Sequence, residues 1–310
     1  MRVVTVAAML VAVLLASAGC MTPLTAQQPL APVPAPASPL VGVYAPGAPG
    51  GWSNVAEFTS ATGVAPSIVV YYSPWNNPFA ASFAQAAWGH GAYVLVQLEP
   101  SRVSLASIAA GGSDGYLRSY ADAVVAFGHP VILSFGHEMN GSWYSWGYGR
   151  TPPATFVAAW RHIVRVFRDA GAANVTWLWA VNSVNGASSA LRQWWPGAAW
   201  VDWTGIDGYY FRPTDTFDSV FGATITAIRA ISGAPLLIAE TAVGTTANRV
   251  SQIDALFAGV RAQRLAGVVW FDEAQHAGIY HQDWRLEDDA HACAAFTAAA
   301  GRYLGAGDSS

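Results

Sequence analysis

Pro130-Val131-Ile132-Leu133-Ser134-Phe135-Gly136-His137-Glu138-Met139-Asn140-Gly141-Ser142-Trp143-Tyr144 sets the pattern from which the fold is read. A mostly apolar run, 131–135, stops at a glycine, and polar and aromatic residues follow. The run does not alternate with polar residues, as expected of a strand covered on both faces. Further on, 151–171 reads as a helix. Thr151 can cap it and Pro152 suits its first turn; Phe156, Trp160, Ile163, Val164 and Phe167 form one stripe before Gly171 ends it. Strand, loop and amphipathic helix make one β/α unit.

The unit recurs in both directions along the chain. Apolar runs stand at 40–44, 67–72, 93–98, 131–135, 175–180, 203–206, 236–239 and 268–271, eight in all. Seven intervening stretches are long enough for a crossover helix and an eighth helix follows the last run, although 187–195 allows only a turn or two. Eight units in residues 40–304 predict an α/β protein folded as a single (β/α)8 TIM barrel. The competitor is a doubly wound open sheet, but no glycine-rich dinucleotide loop follows the first run.

The flanks read differently. Arg2 precedes an apolar run, 3–16, that ends in Ala16-Ser17-Ala18-Gly19-Cys20, so 1–20 reads as an export signal. Two versions stay open: cleavage after Ala18, or lipidation of Cys20, which resembles a bacterial lipoprotein signal with Ser17 in place of the usual Leu. Residues 21–39, rich in Pro, Ala and Gln, read as an extended linker, and 305–310 as a flexible tail. The expected location is outside the cell or on its surface, with the membrane touched only through a lipid on Cys20. If Cys20 carries lipid, Cys293, the only other cysteine, is expected to pack in the last helix as a small apolar group; if Cys20 is kept unmodified, a disulfide between them would have to tie the flexible N-terminal segment to the body.

Composition narrows the function. Of 310 residues, 53% are hydrophobic and 11% charged, which argues for a large buried core and against a disordered chain. All 15 basic residues are Arg, so chemistry that needs a Schiff-base or phosphate-loop lysine is excluded. A net charge of −4 gives no reason to expect nucleic acid as a partner. The 14 Trp and 12 Tyr exceed what packing needs and suit flat platforms for sugars.

Of only six Glu, four fall just past an apolar run: Glu99, Glu138, Glu240 and Glu273. Asp207 and Asp272 hold two more such positions. In a barrel that end is the active-site face. Carboxylates opposed across the mouth suggest glycoside hydrolysis, one donating a proton while the other stays ionised. Glu138 and Glu240, after the fourth and seventh runs, are placed to flank a sugar ring.

These segments resemble glycoside hydrolase family 26, the family of β-mannanases and mixed-linkage β-glucanases. The 130–144 segment is similar to its strand-four signature, Pro235-Leu236-Leu237-Ile238-Ala239-Glu240-Thr241 to its strand-seven segment, 201–209 to its strand-six element and 267–271 to its strand-eight element. The resemblance implies Glu138 as acid/base, Glu240 as nucleophile, a retaining mechanism, and Tyr209 as a hydrogen-bond donor to the nucleophile. It also implies β-1,4-mannan, mixed-linkage β-1,3-1,4-glucan or β-1,3-xylan as substrate. The ending Gln97-Leu98-Glu99-Pro100 is closer to glucanase-like members.

Other substrate contacts are expected at His137, Asn140, Trp143, Trp270, Trp75, Glu99 and Asp207. Each has a plainer alternative: a core histidine, a turn with Gly141, core aromatics, or supporting carboxylates. Trp143 and Trp270 lead among the platforms; Trp160, on a helix stripe, reads as core. Glu273 and Asp272 could instead pair with Arg212 or Arg285. Gly111-Gly112-Ser113-Asp114-Gly115 matches a nucleophile-elbow pattern but follows a helix-like segment. His137-Glu138 lacks the second histidine of a zinc motif because Gly141 stands there, and His276, His281 and His291 have no metal spacing. No metal or cofactor is implied, and a monomer acting on polysaccharide is expected. A non-catalytic carbohydrate-binding protein and a transglycosylase on the same barrel remain the alternatives.

Overall fold

The computed structural model describes residues 30–184, 190–274 and 282–305. The expectations for the export signal, Cys20, linker residues 21–29, His276, His281 and tail residues 306–310 lie outside the described residues.

Eight parallel strands close into a barrel in chain order, and β1 pairs with β8. They are β1 (Leu40–Tyr44), β2 (Ile68–Pro74), β3 (Tyr93–Glu99), β4 (Val131–Phe135), β5 (Val175–Asn182), β6 (Trp203–Asp207), β7 (Leu236–Thr241) and β8 (Gly267–Phe271). The helices around them are α1 (Ser53–Thr62), α2 (Ala81–Gly89), α3 (Leu105–Ala109), α4 (Asp114–Phe127), α5 (Pro153–Asp169), α6 (Ala223–Arg229), α7 (Arg249–Ala262) and α8 (Ala290–Gly305). The expected single (β/α)8 barrel is therefore present.

Local departures have physical reasons. Strands β3, β6 and β7 run past their apolar stretches, so Glu99, Asp207 and Glu240 lie within the last strand residues. Helix α5 starts at Pro153, and Thr151 does not cap it; its hydroxyl donates instead to the Ser145 carbonyl at 3.0 Å. Between β5 and β6 the described residues hold two 3₁₀ turns, Leu191–Trp194 and Ala198–Trp200, in place of an α-helix. The Gly111–Gly115 pattern joins α3 to α4, where no strand feeds it.

The pleat divides the core in two. Ile68, Val70, Leu95, Ile132, Leu178, Leu237 and Val269 fill the barrel interior. Their neighbours Val69, Leu133, Phe135 and Val268 pack outward against helix residues such as Phe156, Trp160 and Phe296. Trp160 is core, as expected, and Trp179 joins it. Cys293 is half-buried on α8, its Sγ 3.2 Å from the Ala61 carbonyl.

One boundary is corrected. The linker reading of 21–39 treats Val33 as spacer, yet Val33 is buried with the barrel-interior residues. Its N–H donates to Thr176 Oγ1 at 2.7 Å. One valine among prolines is enough to plug an apolar opening, because the fixed φ of Pro costs the chain little extra entropy on docking.

Candidate active site

The strand ends on the side of Glu99, Glu138 and Glu240 surround a hollow of about 670 Å³. Its walls carry Tyr44, Tyr72, Glu99, Glu138, Trp143, Tyr144, Asn182, Tyr209, Phe211, Glu240, Phe271, Glu273 and Trp284. Four carboxylates, aromatic faces and no Arg line it, all from the described residues.

Glu138 is held by the backbone of the loop after β4. Gly136 and Glu138 both take left-handed conformations, with φ of 55° and 54°. Such a φ costs a non-glycine residue about 1–2 kcal/mol, so the surrounding contacts must impose it. The contacts are visible: Glu138 N–H donates to the Ala180 carbonyl at 3.1 Å, and the Glu138 carbonyl accepts from Gly141 N–H at 2.9 Å. Asn140 locks the same loop to β5, its Nδ2 donating to the Asn182 carbonyl at 2.8 Å and its Oδ1 accepting from the Asn182 N–H at 2.9 Å. Trp143 folds back so that its Nε1 donates to Glu138 Oε2 at 2.8 Å. The indole occupies the space a side chain at position 141 would need, which is why a glycine follows Asn140.

Glu240 reaches the hollow through an irregularity. Strand β7 carries one extra residue relative to β6 and β8: Asp207 pairs with Glu240 and Trp270 with Thr241, one step out of the register set by Ile238. A bulge re-aims side chains. Here Ala239 packs in the interior and the next residue, Glu240, still faces the hollow. Two phenols donate to its carboxylate, Tyr209 to Oε1 and Tyr72 to Oε2.

The electrostatics follow from burial. Burial, then the Glu240 charge, push the Glu138 carboxyl up to about 8, while the Trp143 donor pulls the other way. Burial also raises Glu240, but both phenols oppose the rise by bonding the ionised form. The proton therefore rests on Glu138 in preference to Glu240. Glu99 is raised by burial and next by Glu240. Asp207 lies behind Glu240, fully buried, and neither carboxyl oxygen has a hydrogen-bond partner among the described residues. Burial, then Glu240 and Glu138, hold it well above the usual carboxylate range.

The expected residues divide clearly. Glu138, Glu240, Trp143, Tyr209 and Glu99 meet in the hollow. His137 stands one layer behind, its Nε2 3.2 Å from the Tyr144 hydroxyl, and burial lowers it to about 3, so it is neutral. The reading of Asn140 as a sugar contact is corrected, because its amide is spent on Asn182. Asp207 is likewise off the wall of the hollow.

Trp270 is corrected too. It points outward from β8 against Phe296, and its Nε1 donates to the Trp284 carbonyl at 3.0 Å. Its neighbour Phe271 faces the hollow instead, stacked on Tyr44 with ring centroids 4.8 Å apart. Trp75 is buried between Tyr116 and Phe135, away from the wall. Tyr44, Tyr72, Phe211 and Trp284 belong to the site and were not expected there. Tyr72 shares the inward face of β2 with Ile68 and Val70, but the uninterrupted apolar runs of β1 and β2 leave that parity unmarked in the sequence. Glu273 bonds Tyr44, and Asp272 pairs with Glu287 while the nearby Arg285 charge opposes its rise; among the described residues neither forms an arginine salt bridge. Among the described residues no group of His, Cys, Asp and Glu side chains is arranged to hold a metal ion. No helix of the described residues is long and apolar enough to cross a membrane.

Residues 116–300 match the sequence profile of glycosyl hydrolase family 26. The chain belongs to glycosyl hydrolase family 26. This family 26 chain is 31% identical over 274 residues to Endoglucanase H of Acetivibrio thermocellus, covering 83% of this chain and 29% of that protein. It is 28% identical over 176 residues to a β-1,3-xylanase of Vibrio sp., covering 52% of this chain and 36% of that one. It thus spans 29% and 36% of the lengths of these two relatives. Among solved structures, the catalytic domain of a Bacillus sp. family 26 endo-β-1,4-mannanase superposes with a TM-score of 0.67 at 16% identity, over 85% of this chain and 86% of that one. A family 26 β-mannanase from Bacteroides ovatus gives 0.65 at 14%, over 86% and 91%. At these identities the likeness is one of fold.

Proposed function

We propose that this family 26 chain is a retaining endo-β-glycosidase that hydrolyses internal linkages of a β-linked polysaccharide, mixed-linkage β-1,3-1,4-glucan or β-1,4-mannan. The observation that carries the reading is the unequal treatment of two carboxyl groups in one hollow. Glu240 receives two phenol donors, whereas Glu138 faces that charge with a single indole. A protonated acid beside an ionised nucleophile is the pair that retaining hydrolysis needs.

In the first step Glu240 attacks the anomeric carbon, and the bond from that carbon to the leaving oxygen breaks as Glu138 gives that oxygen its proton. In the second, Glu138, now ionised, takes a proton from water as the water attacks the same carbon, and the electron pair of the broken ester bond returns to Glu240. Trp143, the half-exposed indole over the mouth, and the stacked Tyr44 and Phe271 offer flat faces to sugar rings.

Of the two polymers, glucan is favoured by the 83% of this chain that aligns with Endoglucanase H. The likeness to mannanase structures bears on fold alone. The same reading places the enzyme outside the cytoplasm through residues 1–20, with Cys20 either lipidated or kept unmodified after a cut at Ala18, and fractionation of cells expressing a Cys20→Ser chain separates those two routes.

The test is product analysis on mixed-linkage glucan, mannan, β-1,3-xylan and cellulose, with Glu138→Ala and Glu240→Ala alongside. Oligosaccharides from one polymer, first released as the β-anomer and absent with both variants, are the expected result. Release as the α-anomer would defeat the retaining assignment. Binding without release would leave a carbohydrate-binding protein, and products longer than the substrate fragments a transglycosylase.

A further inference from the structure

Tyr72 stands out because packing does not explain its hydroxyl. It is an inward residue of β2, two positions after Val70 and four after Ile68, both of which fill the barrel interior. A phenylalanine would pack there equally well. Its ring meets Tyr44 edge-on at 5.1 Å and leans on His137 at 5.6 Å. Its hydroxyl makes one hydrogen bond among the described residues, to Glu240 Oε2. Strand β2 is not a neighbour of β7 in the closed order, so this bond crosses the barrel. Tyr209 reaches Oε1 from the adjoining end of β6. Each carboxylate oxygen thus has its own phenol.

We propose that Tyr72 is a positioning residue that, with Tyr209, clamps Glu240 and makes it a better leaving group in the second half of the reaction. The proposal rests on the retaining mechanism above. A phenol donor stabilises a carboxylate far more than an ester. When Glu240 bonds the anomeric carbon, one oxygen gives up an electron pair to the new C–O bond, and the bond to the glycosidic oxygen breaks as Glu138 delivers its proton. The clamp is then weakened. When water attacks, that C–O bond breaks, its electron pair returns to Glu240, and Glu138 takes the water's proton. Both phenols regain a full anionic acceptor at that moment. The clamp therefore speeds release from the enzyme while moderating nucleophilic attack.

The test is Tyr72→Phe in the full chain, with a dinitrophenyl β-glycoside of the disaccharide repeat of whichever polymer is cleaved. Dinitrophenolate leaves without a proton, so the first step stays fast and the second is exposed. The variant is expected to show a burst of about one dinitrophenolate per enzyme and a steady rate about tenfold lower. The acid limb of kcat/KM should rise by about one pH unit, because Glu240 ionises less readily. Reactivation of enzyme trapped with a 2-deoxy-2-fluoro-β-glycoside should slow by a similar factor. A site-specific fluorotyrosine at 72, which keeps the hydroxyl, should restore the wild-type pattern and so separates the hydroxyl from simple misfolding. No burst and an unmoved acid limb in a folded Tyr72→Phe chain would overturn the proposal. A wild-type chain that cleaves glycans but is never labelled on Glu240 would overturn the retaining reading, and the clamp with it.

Discussion

Trp143 reaches Glu138 only because position 141 has no side chain: the indole that donates to Oε2 at 2.8 Å lies over Gly141. The donor favours the ionised carboxyl and so holds the acid below where burial alone would put it. Trp143→Phe should therefore move the alkaline limb of kcat/KM upward from about 8, by roughly one pH unit, and raise KM as a stacking face shrinks. Gly141→Ala should reproduce the shift with Trp143 intact, because the added methyl displaces the ring. A pH–rate profile on the cleaved polymer checks both. An unmoved limb in both variants would show that the indole does not control the proton.

Asn140 separates a sugar ligand from a structural brace. Both of its amide atoms are buried and bonded to the backbone of Asn182. Asn140→Ala leaves a buried N–H and a buried carbonyl without partners, at a cost of about 2–4 kcal/mol. Thermal unfolding should show a drop of several degrees, and kcat should fall as the Glu138 loop loosens. A raised KM with unchanged unfolding would instead restore Asn140 as a substrate contact.

Asp272 gives the stability a pH dependence away from the Glu138–Glu240 pair. It is buried, its Oδ1 accepts from Leu286 N–H at 3.0 Å, and burial followed by Glu287 raises it to about 8. A carboxyl raised in the folded state binds its proton more tightly there than in the unfolded chain. Its contribution is full below the unfolded value and is lost as pH climbs from about 4 to about 8. Asp272→Asn keeps the acceptor and removes the charge. The variant should gain on the order of 3 kcal/mol over wild type at pH 8 and little at pH 4. Unfolding temperatures across that range check it, and parallel curves would refute it.

The strands were legible because a buried parallel barrel writes each one as an uninterrupted apolar run, and Glu138, Glu240 and Glu99 stood out where those runs end. The same feature hid the parity. In Gly267-Val268-Val269-Trp270-Phe271 every residue is fit for burial, so nothing in the run says that Phe271 faces the hollow and Trp270 the helices. Tyr72 was concealed likewise, as one more aromatic ending an apolar stretch. Its bond to Glu240 depends on two strands brought face to face by barrel closure. Asn140 sat within the family-like motif and read as chemistry, while its partner is a backbone on the next strand.

Val33 tests where the folded domain begins. A spacer residue could be changed freely, but this one is buried with Ile68, Leu95 and Leu178, and its N–H is held by Thr176 Oγ1. Val33→Ala removes two carbons from a packed interior and should cost about 1–2 kcal/mol. Val33→Asp, which buries a charge, should cost more. A chain beginning at Leu40 should lose the plug and the bond together and melt several degrees below one beginning at Leu30. Its kcat on the cleaved polymer should change little, because Val33 takes no part in lining the hollow that holds Glu138 and Glu240. Equal melting of the two chains would return 30–39 to the linker.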